Sequence, residues 1–214
     1  MAIPFTELSK FNPSPIIELF ELELTVGVHI PTGNPNNLAT VFRFHGGAKG
    51  VPFVNDESFG KIRFNNQDYQ RIAVKAEGFE ETSSGALPRP TLTFSNLGGI
   101  SRTNEQGVQN VITFSDFLAF VNDVTPNNDL LNAKVTRLLP LASAISNLNF
   151  TGSNPYGTPS TDRLEDKIFF VNRKMIENRQ IVQFELTNQL DMDQKKIPAR
   201  VVTRDLFPSA CRFI

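Results

Sequence analysis

KIFFVNRKMIENRQIVQFELT, residues 167–187, is the stretch that decides the fold. Its second arm alternates strictly. Val182, Phe184 and Leu186 fall on one side, and Gln183, Glu185 and Thr187 on the other. A period of two is the mark of a strand with one face buried. Lys167 to Val171 form the first arm, and Glu177-Asn178-Arg179 lead into Ile181. The stretch therefore reads as an antiparallel hairpin.

The same period recurs upstream. From Ile16 to Val28, Phe20, Leu22, Leu24 and Val26 oppose Glu21, Glu23 and Thr25. Val41 to His45 alternates and stops at Gly46-Gly47. Lys61 to Phe64 and Tyr69 to Ile72 flank Asn65-Asn66-Gln67-Asp68, and asparagine tolerates the positive φ of a tight hairpin loop. Further strands are expected over Val74–Glu80, Thr91–Ser95, Lys134–Ile145 with Pro140 interrupting its far end, and Ala199–Thr203. Pro88 and Pro90 belong at a strand start or edge, because proline removes ladder donors. One helix is expected. Phe114, Phe117, Leu118 and Val121 form its stripe, Thr113 with Asp116 its capping box, and Pro126-Asn127-Asn128 its end.

These signals predict a mainly β protein, a barrel or sandwich with one short helix against the sheet. Residues 31–40 and 151–163 read as loops, the second as the more mobile. No repeat or low-complexity block is visible.

Composition excludes several classes. Net charge is −1, from 21 basic and 22 acidic residues, with no like-charge run, so bulk attraction to nucleic acid or an anionic membrane is not expected. The N-terminus lacks the pattern of a secretory signal, and no apolar stretch reaches the ~20 residues of a membrane helix. Cys211 is the one cysteine, so no intrachain disulfide forms. A protein folded in a cytosol is expected.

Candidate chemistry is sparse. His29 and His45 lack neighbours at ligand spacing, and surface or strand-end histidine is the favoured reading. Gly46-Gly47-Ala48-Lys49-Gly50 runs into Val51-Pro52 rather than a helix, so it is a loop and not a phosphate cradle. Asp191 and Asp193 lack the glycine and glutamate of a calcium loop. Glu18–Glu23 and Glu77–Glu81 could supply a glycosidase pair, but acidic residues on an outer strand face are the ordinary case. No enzyme is expected.

Two segments carry more. Gly78-Phe79-Glu80, followed by Leu87-Pro88-Arg89-Pro90-Thr91-Leu92-Thr93-Phe94-Ser95-Asn96, resembles the GFE…LPRPTLTVSN signature of the phage minor tail protein L family. Glu177-Asn178-Arg179, Phe184-Glu185-Leu186, Leu190-Asp191 and Ile197-Pro198-Ala199-Arg200 resemble its ENRE…FEL…PLDL…LPRR stretch. Between them, Asp129-Leu130-Leu131 through Lys134-Val135-Thr136-Arg137 is similar to its DL.GAKVTR piece. Gln189 and Ala199 depart from the pattern, where the family has proline and a second basic residue.

The resemblance, running from about Leu8 to the end, implies a tail-hub domain over residues 1–205, with a possible break between two lobes near 151–163. It implies a structural subunit of the virion tail tip, assembled in the host cytoplasm. Such subunits form a trimer that joins the tail tube or distal tail protein ring to the central hub or spike protein. Pro88, Arg89, Pro90 and Thr91 are the expected interface residues. The resemblance also implies a [4Fe–4S] cluster held by four C-terminal cysteines. Residues 206–214 look like the start of that segment, with Cys211 in the place of the first ligand. Three readings of Cys211 stand: a chain that continues past Ile214, a branch without the cluster, or a small buried apolar residue. The first is favoured, because the sequence halts inside the motif. The alternative function is a carbohydrate-binding β-sandwich for host recognition, weakened by two tyrosines and no tryptophan.

Overall fold

The computed structural model describes residues 7, 9–33, 39–47, 60–80, 87–97, 100–103, 109–150 and 152–191, with 100–103 and 109–112 as backbone alone. Eleven strands and one α-helix are present among them. In chain order the strands are β1 (Leu19–Glu23), β2 (Val41–His45), β3 (Ile62–Phe64), β4 (Gln67–Arg71), β5 (Val74–Glu77) and β6 (Thr91–Ser95). Then come β7 (Ile100–Thr103), β8 (Gln109–Ile112), helix α1 (Phe114–Val124), β9 (Lys134–Leu138), β10 (Lys167–Glu177) and β11 (Ile181–Thr187). Nine strands form one sheet in the order β3-β4-β2-β1-β9-β10-β11-β6-β5, and β7-β8 pair separately. All the ladders are antiparallel except β2 with β4.

The sheet curls strongly. β2 and β6 stand five places apart, which in a flat sheet is about 24 Å. Yet Phe44 of β2 and Phe94 of β6 meet edge to face at 5.3 Å between centroids. The chain enforces this, because β4 near one end of the order passes through only Ile72 and Ala73 before becoming β5 at the other end. Where the ends approach, a Cβ on Gly46 would lie 2.8 Å from the Val74 carbonyl oxygen. No ladder joins β5 to β2 or β4 among the described residues, so the sheet stays open and the barrel closure allowed by the sequence does not occur. The mainly β class with one helix on the sheet is as expected.

Helix α1 lies over the gap. Phe114 stacks on Phe94 at 4.3 Å, and Phe117 stacks on Phe42 of β2 at 5.8 Å. The capping box forms: the Asp116 N–H donates to the Thr113 hydroxyl oxygen, and the Asp116 carboxylate accepts from the Thr113 N–H. Inside the curl, Phe20, Phe44, Phe94, Phe114 and Phe184 share one core with Leu118, Val121 and Val182.

The convex side has a second, smaller core. Leu19 of β1, on the face opposite Phe20, packs with Ile62, Phe64, Tyr69, Leu138 and Ile145. The strand thus buries residues on both faces at this end, which period-two reading assigns to one face only.

Other differences have local causes. β1 ends at Glu23 rather than Val28, because residues 25–30 turn back: Gly27 has φ +84°, and the His29 N–H donates to the Thr25 carbonyl at 2.8 Å. Val26 is left exposed. β9 ends at Leu138; Pro140 makes an isolated bridge to Arg163, and its carbonyl accepts from the Ile17 N–H at 2.9 Å. The Asn65-Asn66 turn is tighter than expected, with φ 48° and 58° at its two residues and Gln67 and Asp68 already in β4. The β7-β8 hairpin has no counterpart in the sequence reading. The strand expected over 199–203 lies outside the described residues.

Within residues 152–163, expected as a mobile loop, Asn154 anchors the chain to the turn before it. Asn154 is buried, and its side-chain amide donates to the carbonyls of Ala142, Ser143 and Ile145 at 2.8, 3.2 and 3.1 Å. Its Oδ1 accepts from the Tyr156 N–H.

Candidate functional site

The described parts of the segments that carry the family resemblance meet around the β6-β11 pair, Arg89 with Asp191 at one end and Asn96 with Asn178 at the other. Pro88 and Pro90 hold the approach to β6 extended. Proline lacks the N–H, but the Pro90 carbonyl still accepts from the Leu186 N–H at 2.7 Å and prolongs the β6-β11 ladder. Gly78 has φ +77°, and a Cβ there would sit 3.3 Å from Pro90 Cα, so both the dihedral and the close approach require glycine. Phe79 enters the main core edge to face with Phe169 at 5.3 Å, and the Arg137 guanidinium carbon lies 4.7 Å from its ring centroid.

Arg89 links the two signatures. Its Nε and Nη2 donate to Asp191 Oδ2 at 3.0 and 2.6 Å, and Nη1 lies 3.4 Å from Glu185 Oε1. Glu185 also accepts from Arg173 at 3.2 and 2.8 Å and from Asn172 at 3.0 Å. It lies on the convex face, as its place in the alternation requires, yet it is only 7% exposed. Hydrogen bonds from Arg173 hold its carboxyl below the usual range against the opposing effect of burial.

The remaining motif residues are also tied together. Asn96 donates to Ser115 Oγ and to the Asn178 carbonyl and accepts from the Ser115 N–H, joining the end of β6 to the start of α1 and the β10-β11 turn. Lys174 pairs with Asp129 at 2.8 Å, which brings in the third matching piece. In that piece Asn132, where the similar family segment has glycine, adopts φ 65°. Sequence spacing could not show that Arg89, Glu185 and Asp191 meet; the alternation at Glu185 was the only available signal.

Of the expected interface residues, Arg89 is exposed, Pro88 and Thr91 are half-buried, and Pro90 is buried. Cys211 and Asp193 lie outside the described residues. One cysteine in 214 residues cannot supply the four thiolates of a [4Fe–4S] cluster, so the residues present do not fit that group.

Both histidines are buried rather than at the surface; His45 ends β2, a strand-end place as expected, and His29 lies in the turn after β1. His29 Nδ1 accepts from the Thr25 N–H at 2.9 Å, and its Nε2 lies 3.0 Å from the Leu131 carbonyl. His45 Nδ1 accepts from the Gly47 N–H at 3.1 Å, and Nε2–H donates to the Gly60 carbonyl at 2.6 Å. Both geometries require the neutral ring. Burial depresses the pKa of His29, and that of His45 to about 4.

Because the unfolded chain takes up the His45 proton first, near pH 6.5, stability should be full above that pH and fall as pH drops towards 4. His45 alone should cost on the order of 2 kcal/mol between pH 7 and pH 5. Urea midpoints across this range check it. His45→Gln should flatten the dependence to the share left by His29, and an unchanged slope would refute the assignment.

No group of three or more His, Cys, Asp or Glu side chains suited to a metal occurs among the described residues. Of the carboxylates weighed for a glycosidase pair, Glu18 is held by Arg137, Glu21 by Arg43, Glu23 by Lys134 and Glu77 by Lys75, and Glu81 lies outside the described residues. Tyr69 is buried and Tyr156 is half-buried beside Phe150, so neither offers an open platform for a sugar. No helix of the described residues is long and apolar enough to cross a membrane.

The distinctive residues of these segments knit strands together. The model of one family, Phage minor tail protein L, matches residues 37–213. The chain belongs to the phage minor tail protein L family, and its role is that of a structural protein in the virion tail.

Proposed function

We propose that the chain is a tail-tip hub subunit. It forms a ring, most simply a trimer, that joins the tail tube or distal tail protein ring to the central hub or spike protein. The family match carries this reading. A near-neutral net charge supports it, because copies can pack around a channel without strong like-charge repulsion. The ring assembles in the host cytoplasm and stays at the tail tip. A density map of assembled tail tips tests it. Three copies around the axis at the tube end are expected, whereas copies along the shaft would overturn the reading.

Arg89 is the residue proposed to reach a neighbour, since it alone of the four expected contacts is exposed. Its pairs are partly solvated, and such pairs contribute roughly 0–1 kcal/mol. Arg89→Ala should therefore fold with at most a small loss of stability while tail assembly falls sharply. Normal yields of infectious tails would remove Arg89 from the interface.

A further inference from the structure

A second polar site lies away from the Arg89 cluster, on the convex face between the β3-β4 hairpin and β9-β10. It is a cavity of about 410 Å³ whose lining includes Arg43, Tyr69, Lys134, Arg163, Asn65 and Gln67. Ladder register sets its floor: Arg43 opposes Glu21, Glu21 opposes Thr136, and Thr136 opposes Ile168. Tyr69 donates its hydroxyl proton to Glu21 Oε1 at 2.8 Å, and Arg43 Nε donates to the same oxygen at 3.0 Å. Across the cavity Asp166 grips Arg163 through Nε and Nη2 at 2.7 and 2.8 Å. The Arg163 backbone is itself fixed by its bridge to Pro140.

Each arginine is thus hydrogen-bonded to one carboxylate, Glu21 also acts on Arg163 across the cavity, and each keeps N–H groups with no hydrogen-bond partner among the described residues. The Arg43 side chain is 27% exposed and that of Arg163 18%. Hydrogen-bond donors are in surplus, while the nearby carboxylates are already engaged. Small-molecule pockets are mostly apolar and enclosed; this lining is largely polar. Planar guanidinium donors match a carboxylate best.

We propose that this cavity receives a carboxylate-bearing segment of a neighbouring tail protein, gripped by Arg43 and Arg163. The identity of the neighbour rests on the tail-tip reading, but the chemistry of the cavity does not. If the chain proves to lie elsewhere in the tail, acidic-segment binding is still expected. If that binding fails, the ring can still stand.

The chain offers its own reporter, with two tyrosines, no tryptophan and Tyr69 in the cavity lining. The purified full chain is titrated with an acetylated tetraglutamate amide while tyrosine fluorescence is followed. A saturable, salt-sensitive change is expected, weakened at least tenfold in Arg43→Gln/Arg163→Gln. Gln67→Glu is a second test that leaves both arginine pairs intact and places a repelling charge at the rim; it should weaken binding in the same direction. No saturable change, an equal response to tetralysine, or binding unaltered by both variants would overturn the proposal. Sulfate alone matching tetraglutamate at equal concentration would overturn the partner segment and leave a simple anion site.

Discussion

Phe94→Ala should cost the fold about 3–5 kcal/mol, a large part of the stability of an ordinary domain. Phe94 is 3% exposed and touches the rings of Phe44, Phe114 and Phe184. These come from β2, α1 and β11, so one ring joins both limbs of the curled sheet to the helix that spans them. Truncation opens a cavity that none of the three can fill alone. The loss adds the lost burial to the cost of the cavity. For a chain of this size it should lower the melting temperature by roughly 6–20 °C. Phe94→Leu keeps most of the volume and should cost clearly less. A loss below about 1 kcal/mol for the alanine variant would mean that the ring is not the shared contact described.

Asn154→Ala should cost about 2–4 kcal/mol, although the residue lies in a segment composed like a surface loop. Its amide serves three backbone carbonyls from the 142–145 turn, and its oxygen serves Tyr156. Alanine leaves these buried groups short of partners, and water reaches them only if the segment opens. Asn154→Asp separates hydrogen bonding from packing. It keeps the shape but replaces the donors with a charge facing carbonyl oxygens, so it should be at least as damaging at neutral pH. Denaturant unfolding gives the magnitude, and faster proteolysis within 152–163 gives the locality. An aspartate variant as stable as the parent would rule out the amide network.

Asn154 also shows where sequence reading stops. The segment TGSNPYGTPSTDR, residues 151–163, carries the residue types of a mobile loop, and nothing local marks one asparagine as buried. Its partners are nine to twelve residues upstream, a relation that periodicity does not express. Periodicity put Val182, Phe184 and Leu186 on the core face, although Glu185 and Thr187 opposite them are buried too, and it found the α1 stripe with its capping box. It failed at Leu19, where a second core covers the opposite face. It says nothing about whether His29 and His45 are buried, because a buried neutral imidazole and an exposed one look alike in sequence. The family signature was legible as a pattern, but its physical content was not. Gly78 against Pro90, and Arg89 with Glu185 and Asp191, show that much of the pattern maintains the fold.

The sheet order carries a consequence for synthesis. The β10-β11 hairpin sits in the middle of the sheet, between β9 and β6, although it is the last of the described strands to be made. β6 ends at Ser95 and waits for β11, which ends at Thr187. At typical translation rates that wait is roughly 5–20 s. During it β6 has only β5 as a partner, and its other backbone edge is a template for mispairing. The two prolines before β6 limit that hazard at its start, since they cannot donate to a ladder. The surfaces that depend on the whole sheet therefore exist only after synthesis has passed Thr187.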